Sequence, residues 1–202
     1  GRETGHARPL VILKRGRANP VWRGHPWVYS GAVDRVETPD RPSGETVEPG
    51  ELVDVYDIEH RLIGAGLLNP RSQIMVRMLT RGPLENALPP ALLPGAIEGD
   101  SSDELVAVHA PPLDDGVTGD DAQLHALIKV RMKAAAMRRA RLGLPGADTT
   151  AFRLVNSEGD GLPGLIVDIY GDTAAVQFTA MGMKRCEDAV VAGLQGLATP
   201  SP

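Results

Sequence analysis

The sequence predicts an α+β chain of two small units, a closed β domain followed by a small α/β (strand–helix) domain. Three observations carry this. Short apolar runs bounded by turn residues fill 51–79 and 152–178. One long stretch, 122–142, repeats apolar residues at helical spacing. Between them, 81–121 is rich in Pro, Gly, Asp and Glu and reads as a linker or insertion. The units are therefore expected at 1–80 and 122–202.

In chain order, Leu10–Leu13 reads as a strand, followed by Lys14-Arg15-Gly-Arg17 and a short helix around Asn19 to Arg23. Glu51–Asp57 and Arg61–Leu68 read as strands around a turn at Ile58-Glu59-His60. Asn69-Pro70-Arg71-Ser72 is a second turn, and Gln73–Leu79 alternates with Ile74, Val76 and Met78 on one face. Gly64 and Gly66, in the middle of a strand, predict a bend or a close backbone approach, as in a small barrel. A short strand is conceivable at Glu104–His109.

Ala122–Leu142 is the clearest helix. Leu124, Leu127, Ile128, Met132 and Ala135 form its stripe, and Asp120 and Asp121 precede it as N-cap candidates. Gly143 and Pro145-Gly146 end it. Three strands follow, at Phe152–Val155, Leu165–Tyr170 and Ala174–Phe178. Lys184–Leu197 is a last helix with Cys186, Val190, Leu194 and Leu197 as its apolar stripe. Cys186 then belongs to packing and is no nucleophile.

Composition narrows the function classes. The chain has 202 residues and aromatics make up 3% of it, so its cores are aliphatic. The single cysteine excludes an internal disulfide and any multi-thiolate zinc site. The histidines His6, His25, His60, His109 and His125 share no ligand spacing, so no metal is expected. No apolar run approaches the roughly 20 residues that span a bilayer. With no apolar signal region, a cytoplasmic location and no membrane partner are the expectation. The missing initiator Met points to a trimmed or partial chain.

Net charge is −5, but the distribution is uneven. Arg2, Arg8, Lys14, Arg15, Arg17 and Arg23 face only Glu3 within 1–33, and 129–141 carries six cations and no acid. The acidic stretch 85–121 masks both basic segments in the whole-chain sum. Local charge governs binding to a phosphate backbone more than the total does. Trp22 and Trp27 are interleaved with the first basic segment. Aromatics among Arg and Lys suit RNA, by stacking and phosphate neutralisation. The same aromatics serve equally as core residues of a small β domain, and the basic face of helix 122–142 as an ordinary solvated surface.

Gly159-Asp-Gly161-Leu-Pro-Gly164 matches G-x-G-x-x-G by letter, yet a strand follows it. A dinucleotide fingerprint needs a helix N-terminus there to face the pyrophosphate. The glycines are therefore turn residues. Glu158 and Asp160 beside them suit either a general acid/base pair or solvated turn carboxylates.

Two long motifs resemble a known family. Gly24-His25-Pro26-Trp27-Val28-Tyr29-Ser30-Gly31 resembles the R-H-P-W-V-F-S-G signature of the N-terminal PUA domain of certain bacterial S-adenosylmethionine-dependent ribosomal RNA methyltransferases. These methylate C5 of a cytosine in large-subunit RNA. Phe152-Arg-Leu-Val-Asn-Ser-Glu-Gly-Asp-Gly-Leu-Pro-Gly-Leu-Ile-Val-Asp resembles the Y-R-L-…-E-x-D-G-L-P-G-…-D signature of their middle α/β domain. The resemblance runs from about 10 to 197, with 81–121 as a longer insertion than the family's.

The resemblance implies a small PUA-like β-barrel and a middle domain, with RNA, and ribosomal RNA in particular, as partner. It offers Lys14, Arg15, Arg17, Arg23 and His25 as RNA contacts. It places Ser157, Glu158, Gly159, Asp160, Gly161, Pro163 and Gly164 on an interdomain or substrate-site loop. The family's Rossmann methyltransferase domain, with its catalytic cysteine and N/D-P-P-aromatic motif, has no counterpart in the sequence. Cys186 does not match that cysteine. No catalytic residue and no bound cofactor are therefore expected of this chain, and S-adenosylmethionine is expected for the full-length enzyme. A homodimer is left open. So are two other functions: a stand-alone RNA-binding or protein-interaction adaptor, and a small hydrolase using Glu158 and Asp160.

Overall fold

The computed structural model describes residues 8–39, 41–42, 45–87 and 119–198. The first unit runs β1 (Leu10–Leu13), α1 (Asn19–Trp22), β2 (Trp27–Tyr29), β3 (Val33–Glu37), β4 (Leu52–Tyr56), β5 (Leu62–Leu68) and β6 (Ile74–Met78). These strands form one curled six-stranded sheet in the order β2-β6-β5-β4-β1-β3. Neighbours are antiparallel except β1 and β4. Its interior is aliphatic: Val11, Leu13, Val28, Val53, Val55, Ile63, Leu68 and Val76 pack together.

The second unit is α2 (Gly119–Arg141), β7 (Ala151–Asn156), β8 (Leu165–Tyr170), β9 (Thr173–Phe178), α3 (Met181–Arg185) and α4 (Glu187–Ala198). Its antiparallel sheet has the order β7-β8-β9, and α2 packs on both α4 and β7. The α+β class predicted from the sequence is the class observed.

Several boundaries differ from the sequence reading for identifiable reasons. β2 and β3 are strands that local pattern did not announce: β2 is three residues long, and both are set by pairing with β6 and β1. α2 begins at Gly119, so Asp120 and Asp121 lie within its first turn. There they still favour the positive end of the helix. The last helix is interrupted at Cys186, whose φ of −96° and ψ of 20° leave the helical region. Cys186 is buried, and desolvation pushes its thiol up to about 11, as suits a packed residue. The start of 81–121 belongs to the fold: Leu84 is fully buried and a 3-10 turn, Leu84–Ala87, packs on α2. The strand considered at Glu104–His109 lies outside the described residues.

β5 explains how the units join. Its sequence LIGAGLL is buried almost throughout, because both faces are covered. Leu68 faces the core of the first sheet. Ala65 and Leu67 join Leu79 and Leu84 in a second core with Leu127, Ile128 and Met132 of α2 and Val155, Leu165 and Val167 of the small sheet. The glycines of β5 permit close approach: a Cβ on Gly64 would sit 2.1 Å from the Thr80 carbonyl oxygen, and one on Gly66 2.7 Å from that of Arg77. Opposite, Gly182 of α3 lies so near Leu67 that a Cβ there would be 2.6 Å from the leucine's own.

Candidate nucleic-acid interface

The first basic segment is a surface. Lys14, Arg15 and Arg17 are exposed on the turn after β1, Arg23 follows α1, and His25 is exposed before β2. The turn is fixed from within by buried Ala18 and Val21 and by backbone bonds from Arg17 to Lys14 and from Lys14 to Ala32. Lys14 Nζ donates to the Gly31 carbonyl (3.2 Å). The guanidinium groups of Arg15, Arg17 and Arg23 make no ion pair or hydrogen bond among the described residues. Their donors stay available to an incoming anion.

The aromatics divide between the two uses left open by the sequence. Trp22 is 42% exposed and Tyr29 47% exposed. His25, Trp27 and Tyr29 form a chain of edge-on and tilted ring contacts with centroids 5.9–6.4 Å apart. Trp27 is half-buried and tied down. Its indole Nε1 donates to Glu158 Oε1 at 2.7 Å, and the Arg77 guanidinium lies 5.7 Å from its ring centre. Trp27 thus holds β2 against the second unit while Trp22, His25 and Tyr29 face outward.

The loop 157–164 is built as a tight 3-10 turn, Ser157–Asp160, followed by Gly161 in the left-handed region (φ 71°). Its amides bond inward. Gly161 N donates to Glu158 O, Leu162 N to Ser157 O, and Gly164 N to Ser157 Oγ. Gly164 must be glycine: φ is 84° and a Cβ would lie 2.4 Å from that of Ala180. Pro163 precedes this close approach, and Gly159 is exposed at the turn's tip.

The two carboxylates of the loop serve different sides. Asp160 is buried and accepts hydrogen bonds from Arg138, from both ends of the Arg139 guanidinium, and from the Asn156 amide (2.6 Å). Burial opposes its ionisation, but the bonds from Arg139 and Arg138 outweigh it and hold the carboxyl down at about 2. Glu158 accepts from Trp27, from Arg77 NH1 at 2.9 Å and from the Ser157 hydroxyl. Desolvation is again outweighed, here by the bonds from Ser157 and Trp27, and its pKa is lowered. Both carboxylates are engaged by arginines and held toward their ionised form.

Helix α2 turns part of its basic face inward. Arg131 donates to the carbonyl oxygens of Gly161 and of Leu79 (2.7 Å), so one guanidinium joins the backbones of the two units. With Arg138 and Arg139 on Asp160, these cations order the loop; Arg131 and Arg139 are half-buried, while Arg138 stays exposed. A sequence signal existed: Ile128, Met132 and Ala135 are buried, and Arg139 continues their i, i+3, i+4 rhythm.

At the opposite end, Arg8 gathers three acids. It donates bidentately to Asp120 (2.6 and 2.7 Å), to Asp54 at 3.3 Å, and lies 3.9 Å from Glu85. Among the described residues, no group of three or more His, Cys, Asp or Glu side chains is placed to hold a metal, and no helix is long and apolar enough to cross a membrane.

Comparison with known proteins shows what the chain is similar to. Residues 11–81 match the family described as the PUA-like domain. The curled sheet resembles that domain. Beyond it, the chain is homologous to proteins named ribosomal RNA large subunit methyltransferase I. It is 31% identical over 181 residues to the one from Alteromonas mediterranea, covering 90% of this chain and 34% of that protein. It is 29% identical over 188 residues to the one from Photobacterium profundum, covering 91% of this chain and 36% of that protein. The chain therefore spans about a third of the length of these relatives. Among solved structures, a chain described as a candidate SAM-dependent methyltransferase from Streptococcus mutans shares the fold with a TM-score of 0.57 at 13% identity. It covers 92% of this chain and 37% of its own. A candidate methyltransferase complexed with SAH gives 0.59 at 14% identity, covering 92% and 36%.

The glycine loop does not fit S-adenosylmethionine. The amides of Gly161, Leu162 and Gly164 are committed inside the turn, the Gly161 carbonyl is held by Arg131, and β8 follows where a helix would be needed.

Proposed function

We propose that this chain is the RNA-binding and substrate-positioning part of an S-adenosylmethionine-dependent ribosomal RNA methyltransferase, acting on C5 of a cytosine in large-subunit RNA. The observation that carries the RNA reading is the exposed set Lys14, Arg15, Arg17, Arg23 and His25 on a PUA-like domain, beside outward-facing Trp22 and Tyr29. The guanidinium groups would neutralise phosphates, and the rings would stack on unpaired bases. Homology to ribosomal RNA methyltransferases over nine-tenths of the chain supports the enzyme class. In this reading the methyl donor is held outside these 202 residues, and Ser157–Gly164 lies behind the site rather than in it. The interior bonding of that loop supports this division.

The test is filter binding of a large-subunit RNA fragment at two salt concentrations. Binding that weakens steeply with salt, and weakens further in the Arg15→Ala/Arg17→Ala/Arg23→Ala variant, supports the reading. Binding indifferent to those substitutions removes it. The adaptor alternative predicts instead that deleting 88–118 abolishes capture of a protein partner with RNA binding unchanged.

A further inference from the structure

Where the PUA-like domain meets the end of β9 and the start of α3 lies a cleft of about 500 Å³. That is within the size range of small-ligand sites. Its wall combines apolar side chains, Ile74, Phe178 and Met181, with the cations Arg77 and Lys184 and the amide of Asn69. Met181 is 53% exposed, an unusual position for an unbranched apolar side chain that adapts readily to flat ligands. Lys184 Nζ stands 5.1 Å from the Phe178 ring centre, so a cation and an aromatic surface are presented together. Lys184 also pairs with Glu187 on the exposed side of the cleft, and its ammonium has further N–H donors. Arg77 uses Nη1 for Glu158 and keeps further N–H donors of its guanidinium.

We propose that this cleft takes one unpaired ribonucleotide of the bound RNA, an inference that rests on the RNA reading above. The base lies against Ile74, Phe178 and Met181, and its phosphate lies between Arg77 and Lys184. Two features argue for a nucleotide of the same strand rather than a free metabolite. The cleft is open and half polar, which suits a residue still attached to a chain. It is also continuous with outward-facing Tyr29: β6 carries Ile74, which pairs in register with Tyr29 of β2, and Arg77, which pairs with half-buried Trp27. A strand held by the β2 edge therefore reaches the cleft by crossing one strand. A paired base cannot enter, because A-form stacking keeps its faces covered. Only a looped-out or bulged nucleotide presents one.

The experiment compares two fluorescent RNA hairpins, identical except for a single bulged nucleotide. Affinities are measured by anisotropy for the wild-type chain, Lys184→Gln and Met181→Ser. Both positions are exposed, and circular dichroism checks the fold of each variant. Stacking and phosphate contact of one nucleotide predict a preference for the bulged hairpin of about tenfold. Each variant should lose most of that ratio, whereas Lys14→Ala/Arg15→Ala/Arg17→Ala should lower both affinities and keep it. Equal wild-type affinities, or variants that weaken both hairpins by one factor, overturn the cleft assignment and leave the RNA reading standing. Failure to bind either hairpin at low salt overturns both.

Discussion

Glu158 and Trp27 stand 131 positions apart in the chain and share a 2.7 Å hydrogen bond from the indole N–H to the carboxylate. The bond joins the two motifs by which the sequence resembles a methyltransferase family. It is part-buried and charge-assisted, and Arg77 reinforces it from β6. Trp27→Phe removes the N–H donor together with part of the indole's contact area. It should cost at least about 1.5–3 kcal/mol in urea unfolding, the range for a hydrogen bond to a charged group. An unchanged midpoint would show that the bond is dispensable.

Asp160 should make the fold acid-sensitive. Its folded pKa of about 2 lies below the unfolded value of about 3.9. A depressed carboxylate contributes its stability in full above the unfolded pKa and loses it as pH falls through the folded one. Stability should therefore decline between about pH 4 and pH 2. In Asp160→Asn that part of the decline should vanish, at a cost of about 3 kcal/mol at neutral pH from the unpaired arginines. Equilibrium denaturation across pH reads both.

The basic segment should act on RNA without acting on the fold. Each phosphate-contacting cation removed lowers the slope of log affinity against log salt by about one. Arg15→Ala/Arg17→Ala/Arg23→Ala should thus flatten it by about three while the melting temperature holds. The same triple change in Arg131, Arg138 and Arg139 should do the reverse, lowering stability because these side chains bind the 157–164 loop.

The acidic connection between the units should be replaceable. Arg8 lies near both Glu85 and Asp120, so the two ends of the connection stand close together in space. Exchanging 88–118 for a short Gly/Ser linker should leave stability unchanged or slightly higher, since halving a loop's length changes its closure cost by only about 0.6 kcal/mol. Arg8→Ala should destabilise both forms. A large loss on exchanging the connection alone would mean that it packs on the fold.

What the sequence disclosed follows from range. Strands such as Ile74–Met78 and the helix over 119–141 are written in local periodicity, and so were readable. The exposure of Lys14–Arg17 also follows from a basic turn between short elements. By contrast, β2 and β3 exist through partners far along the chain, and no pattern within Trp27–Tyr29 records that. The fates of Glu158 and Asp160 were equally hidden. Two positions apart in sequence, they point to different units, one to Trp27 and Arg77, the other to Arg138 and Arg139. Residue type gave two carboxylates in a glycine turn, and only the tertiary fold assigns each its cations.

The core that runs from Leu67 and Leu79 through α2 to Val167 has a consequence for how the molecule comes apart. Independent domains melt independently; units that share side chains in one interior do not. With Arg131 fastening the Leu79 and Gly161 backbones together, the small sheet has no interior apart from the one it shares with β5 and α2. Heating should give a single calorimetric transition whose van't Hoff and measured enthalpies agree. A protease should find no stable half-molecule to leave behind, and any RNA bound on one unit would be held at a fixed bearing to the other.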